Sequence, residues 1–160
     1  MVTLVVVVIL IGFLIAAMGG LRTRAQRLQC TNNLRNLSIA ANLYVQQYQS
    51  WPQIPETPGA PKEQFAEAWI AALAPFGAER KTWICPTIQN LLKNPDYFSP
   101  QNARIDYFAT SFDDKPASPH RWPRQPWFVE SGDVHGNGNL IIFTDGTISD
   151  LKTVLETTPK

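Results

Sequence analysis

Residues 1–48, MVTLVVVVILIGFLIAAMGGLRTRAQRLQCTNNLRNLSIAANLYVQQY, decide the fold, because they read as one continuous helix that changes its surroundings halfway along. From Met1 to Leu21 there is no charged side chain and a single hydroxyl, Thr3. About 20 apolar residues at roughly 1.5 Å each span the ~30 Å hydrocarbon core of a bilayer, where a helix satisfies its own backbone groups. Beyond Leu21 come Arg22, Arg24, Arg27 and Arg35, with neither a proline nor a turn cluster before Trp51-Pro52. The helix is therefore expected to run on past the membrane surface. Cys30, Leu34, Leu37, Ala41, Tyr44 and Tyr48 recur at steps of four and three and share one face. That face needs a cover, and the rest of the chain is the candidate. The other face offers Arg27, Gln29, Asn32, Asn36 and Gln46, suited to water or to a neighbouring subunit. An unbroken helix of about 70 Å exceeds what one small domain needs, which points to the helix as an assembly device.

The chain has 160 residues, so a division at 1–50 (membrane and assembly helix continuing into a head) and 51–160 (a β-containing head) leaves one small domain with a modest core. The net charge of +1 conceals an asymmetry: the four arginines after Leu21 meet no acid before Glu56, so every carboxylate lies in the head. The stem of one copy can thus meet the head of another, or anionic lipid; arginines solvated at a headgroup boundary are the plainer reading. Basic and aromatic residues do not interleave into a nucleic-acid stripe. The apolar run lacks the basic leading region and cleavage site of a signal peptide and is expected to be retained. Taken alone, the positive-inside rule keeps the arginines after Leu21 cytoplasmic, an inference that a removed basic leader would reverse.

After the stem, WPQIPETPGAP (51–61) holds four prolines and one glycine and turns the chain back on its own helix. Lys62 to Ala74 places Phe65, Trp69, Ala72 and Leu73 at helical spacing between Pro61 and Pro75. A short strand is expected at Thr82 to Ile84, a helical turn at Ile88 to Lys93, and a strand within Arg104 to Phe112 with Ile105, Tyr107 and Ala109 on one face. Asp113 to Pro126 reads as irregular, and Trp122 and Trp127 nearby as half-buried covers of a small core. Leu140 to Phe143 and Ile148 to Val154 read as an antiparallel hairpin with Asp145-Gly146 as a two-residue turn.

Little chemistry is legible. Cys30 and Cys85 allow one disulfide and no metal framework; Cys30 lies on the inward stripe, so a bridge to the head is reasonable, with two buried thiols as the alternative. His135 and Asp145 are separated by up to roughly 30 Å of extended chain and are not expected to share a site. His135 reads as ordering the Gly-Asn loop. Glu130, Asp133, His135, Asn137 and Asn139 offer calcium-type ligands, but without EF-hand spacing a surface turn is the better reading. No catalytic triad, nucleophile elbow or phosphate loop appears, so no enzyme, cofactor or metal is expected. The sequon Asn36-Leu37-Ser38 lies on the helix and reads as incidental.

His135 is followed by GNGNLIIFT and then Asp145-Gly146; Gln29-Cys30 leads into Asn33-Leu34-Arg35-Asn36-Leu37 and Tyr44; and Ile84-Cys85-Pro86 stands in mid-domain. In these segments and their order after an apolar helix, the chain resembles type IV pilin-like proteins, specifically the bacterial prepilin-type family named for a histidine, nine residues and Asp-Gly. The resemblance implies an α+β fold in which the long helix packs by its second half on a head with an antiparallel sheet. It also implies cleavage by a prepilin peptidase, methylation at Met1 and assembly through the helix, for which Val5, Val8, Leu14, Gly19, Gly20, Arg22 and Arg24 are the residues of interest. Val5 stands where such families usually have glutamate, and Gly19-Gly20 where many pilins have proline. The expected function is a structural pilin of an extracellular filament, a fimbrium-like homopolymer held in the inner membrane before its assembly machinery exports it. The alternatives are a minor pseudopilin of a secretion apparatus and a membrane-anchored binding domain that never polymerises.

Overall fold

The computed structural model describes residues 2–93, 96–122 and 124–157, with side chains from Gly20 onward. Met1 lies outside that description, and so do the side chains of Val5, Val8, Leu14 and the rest of the apolar run before Gly20. Among the described residues no helix is long and apolar enough to cross a membrane.

Helix α1 (Val2–Tyr48) is continuous over 47 residues, as the lack of any breaker before Trp51-Pro52 requires. It stops where Gln49 turns left-handed (φ 53°) and donates its N–H to Val45 O at 2.8 Å. The proline-rich segment then doubles back without regular structure, pinned by Gln53 Nε2 donating to Phe112 O at 3.1 Å. Helix α2 (Lys62–Leu73) starts directly after Pro61 and buries Ala66, Trp69, Ile70 and Leu73. Gly77, at φ 94°, supplies the left-handed exit that follows it.

The sheet comprises β1 (Tyr107–Ala109), β2 (Pro126–Glu130), β3 (Leu140–Phe143) and β4 (Ile148–Asp150), all antiparallel and in chain order. One face of β2 and β3 packs on α1. The molecule is therefore α+β: a long helix and a small four-stranded antiparallel sheet.

Three local expectations are corrected. Thr82 to Ile84 is not a strand: Arg80–Trp83 form a 3-10 helix whose Thr82 and Trp83 are both buried, and a short run apolar on both sides carries no period to decide between the two. Next comes helix α3 (Pro86–Leu92), with proline at its first position. The hairpin has three connecting residues, Thr144 to Gly146, because Phe143 N–H bonds Thr147 O and Gly146 adopts φ 81°, the left-handed position that follows a turn in such loops. Strand β4 ends at Asp150, since that carboxylate caps a final helix α4 (Leu151–Thr157) by accepting from Thr153 N (3.0 Å) and Oγ1 (2.8 Å).

Trp127, expected as a half-buried cover, belongs with Trp51, Trp69 and Trp83 to the buried core. Trp51, Trp83 and Trp127 are at most 1% exposed, and the Trp51 ring meets Trp69, Phe112, Trp127 and Phe128. Trp122, by contrast, is exposed. Along α1, Cys30, Leu34, Leu37 and Ala41 are fully buried. Tyr48, expected on the same stripe, is 53% exposed, with its ring reaching only to Tyr44 and Phe76 at the rim of the head.

Candidate functional site

Four elements deliver one polar side chain each to the place where α1 first meets the head. The three-and-four spacing of α1 turns Cys30 inward. Cys85 caps α3 with extended backbone (φ −78°, ψ 121°), and Pro86 fixes the first turn behind it. Glu130 ends β2, where strand alternation places it on the same side as buried Phe128. His135 sits in the loop after β2.

Ligand-type atoms of Cys30, Cys85, Glu130 and His135 all lie within 4.8 Å of one another. The two sulfurs are 2.8 Å apart and both cysteines are free, so the expected pair meets in space without the bond. His135 Nε2 is 3.3 Å from Glu130 Oε1, with side chains 2% and 0% exposed. Glu130 Oε2 accepts from Leu140 N–H at 3.4 Å, but among the described residues Oε1 and both His135 ring nitrogens have no well-aligned hydrogen-bond partner.

The surroundings hold these groups in position. Asp106 accepts the Cys85 N–H at 2.8 Å and is itself gripped by Arg104 through Nε (2.8 Å) and a terminal nitrogen (3.1 Å). Asn33 donates to Ile84 O at 2.9 Å and approaches the Tyr107 hydroxyl at 3.5 Å, joining α1 to the Cys85 segment. Asn139 donates to Glu130 O at 2.7 Å. At the edge, Arg27 pairs with Asp150 at 3.2 Å.

Burial sets the protonation of the cluster. Desolvation, reinforced by Cys85, pushes Glu130 up to about 8, so its carboxyl is mostly protonated at neutral pH. Desolvation, then the charge of Arg27, lowers His135 and keeps the imidazole neutral. Cys85 is raised, first by its hydrogen bond with Cys30 and then by burial, so its thiol is neutral as well. A neutral, enclosed thiol is a poor nucleophile. What the set offers is two sulfurs, one nitrogen and one oxygen converging on a dry point.

Several residues singled out from sequence lie elsewhere. Asp145 folds onto its own turn, accepting from Thr147 N (2.8 Å) and Oγ1 (2.6 Å), well separated in role from His135. His135 does not order its loop by hydrogen bonds; Asp133 does, accepting from Gly136 N–H at 2.9 Å. The calcium-type grouping is thereby split, with Glu130 and His135 turned inward and Asp133 exposed. Gly20, Arg22 and Arg24 are exposed on α1. A separate cleft of about 1160 Å³ beside the proline-rich segment, near Lys62, Phe65, Arg104 and Phe108, is lined by neither histidine nor cysteine. The joint burial of Glu130 and His135 was missed from sequence, although the even spacing of Phe128 and Glu130 carried its signal.

A second feature lies on the opposite side of α1. Leu21, Leu28, Ile39 and Leu43 are 42 to 65% exposed. At 3.6 residues per turn they fall within about 40° of one line, roughly opposite the stripe that the head covers.

No protein-family model matches the chain, and no curated protein or solved structure matches it.

Proposed function

We propose that the chain is a structural subunit of an extracellular type IV pilus-like filament, with a pilin-like fold whose α1 helices pack in a central bundle and whose heads face outward. The observation that carries this reading is the outward face of α1, where four large apolar side chains stand exposed among Asn32, Arg35 and Gln46. A solitary anchored domain gains nothing by leaving Leu21, Leu28, Ile39 and Leu43 in water along one line, whereas a neighbouring helix would cover them. Each large apolar side chain fully buried contributes ~1.5–3 kcal/mol, so this stripe adds appreciably to whatever Met1 to Leu21 supplies. About 40 Å of helix precedes Cys30, the first residue of α1 from Gly20 on that is buried against the head.

On this reading the subunit waits in the inner membrane, is processed at Met1 by a prepilin peptidase, and is drawn into the filament by an assembly machinery that recognises the stem. Val5, in place of the usual glutamate, favours a minor pseudopilin as the second reading, because the helix then lacks the charge that would offset a neighbour's terminal amine. Negative-stain microscopy of sheared cell-surface material, with mass spectrometry of its main band, tests the proposal. Filaments built mainly of this chain, lost in a Leu28→Glu, Ile39→Glu double variant, support it; sheared material lacking the chain refutes it.

A further inference from the structure

We propose that Cys30, Cys85, Glu130 and His135 form a structural site for a zinc-type divalent ion that bolts α1 to the head. The donor set is two sulfurs, one imidazole and one carboxylate, a borderline-soft combination suited to four-coordinate zinc. Ligand atoms around a tetrahedral zinc lie roughly 3.3–3.8 Å apart. The four donors are already within 4.8 Å of one another, so side-chain adjustments of about 1 Å close the shell, the sulfurs moving apart from 2.8 Å and the others drawing in.

The unpartnered atoms choose between an ion and a disulfide. Oxidising the thiols to a bridge would tie up the sulfurs and leave Glu130 Oε1 and His135 Nε2 with only each other at 3.3 Å, and His135 Nδ1 without a partner among the described residues. An ion takes Glu130 Oε1 and one His135 nitrogen together with the sulfurs, each thiol and the carboxyl releasing its proton as it ligates. The side chains of His135 and Glu130 are 2% and 0% exposed, so no coordination position faces solvent and the ion would be structural. The ligands come from α1, the start of α3, the end of β2 and the following loop, segments brought together only by the finished fold. Asp106, holding the Cys85 backbone at 2.8 Å, is the matching positioning residue. The site does not depend on the filament reading.

The full-length chain, purified in detergent with reductant and stripped by a chelator, is titrated with cobalt(II) and then zinc. The expected result is saturation at a single equivalent, with a thiolate-to-cobalt charge-transfer band and tetrahedral visible bands that zinc erases. Cys85→Ser should weaken the charge-transfer band, and Cys30→Ser combined with Cys85→Ser should abolish it. Glu130→Gln, which preserves shape and keeps the test valid if the serine variant does not fold, should weaken cobalt binding at least ~10-fold. Asp145→Asn, in the hairpin turn, should leave binding unchanged. Saturating cobalt that produces no thiolate band in protein whose near-ultraviolet circular dichroism is native overturns the proposal. So does zinc-free protein from cells in which Cys30 and Cys85 are joined.

Discussion

Two opposite faces of α1 carry similar large apolar residues to opposite ends, the outward ones standing among exposed Asn32, Arg35 and Gln46. On one, Leu34 and Leu37 are fully buried beneath the head; on the other, Leu28 and Ile39 are more than half exposed. The difference teaches that helical periodicity specifies what must be covered, not by what. The inward face belongs to the folding of one chain, and the outward face is the part that a bundle would complete. Changes on the two faces should therefore separate stability from assembly.

The largest effect is expected at the inward face and the core it joins. Trp83→Ala should lower unfolding stability by about 3–5 kcal/mol and Leu34→Ala by about 2–5 kcal/mol, read from denaturant midpoints of the detergent-solubilised chain. Equal, small losses at Leu34 and Leu28 would erase the distinction between the faces.

A smaller loss is expected where the head closes its rim over α1. Gly138 has φ 85°, and a Cβ there would lie 3.0 Å from Leu151 Cβ and 3.3 Å from Lys152 N. Gly138→Ala should cost about 1–3 kcal/mol by the same measurement. Asp150 caps α4 and pairs with Arg27, and Asp150→Ala should cost about 1 kcal/mol. The Thr153 side chain and N–H, then Arg27, hold the Asp150 carboxyl below the usual range. Its contribution is thus complete above the unfolded carboxylate value and is lost as pH falls through the lower folded one. Wild-type and Asp150→Asn unfolding curves should separate towards neutrality and converge in acid.

The smallest effect on stability is expected at the outward face. Leu28→Ser should change the unfolding midpoint by no more than about 0.5 kcal/mol in the dispersed subunit.

The sequence made the long helix and its inward stripe legible because the period from Cys30 to Tyr44 and the absence of breakers leave no competing structure. Helix α2 and the last hairpin were legible from proline placement and from Asp145-Gly146. The 3-10 helix at Arg80–Trp83 was not, since Thr82, Trp83 and Ile84 are buried on every side and show no period. Helix α4 was obscured by the β-branched content of residues 148–154, although Asp150 with Thr153 marks a cap. The four-residue site was hidden for a different reason. Its members are scattered from Cys30 to His135, and the histidine motif draws attention forward to Asp145 when the partner, Glu130, lies five residues back.

Thiol labelling of Ile39→Cys, set against Lys152→Cys on the exposed surface of α4, probes the outward face most directly. Both should react with a bulky maleimide in the detergent-dispersed subunit, whereas in sheared surface material only the Lys152→Cys position should react. Equal labelling of both positions in that material would show that no neighbouring helix covers the stripe and would contradict the account.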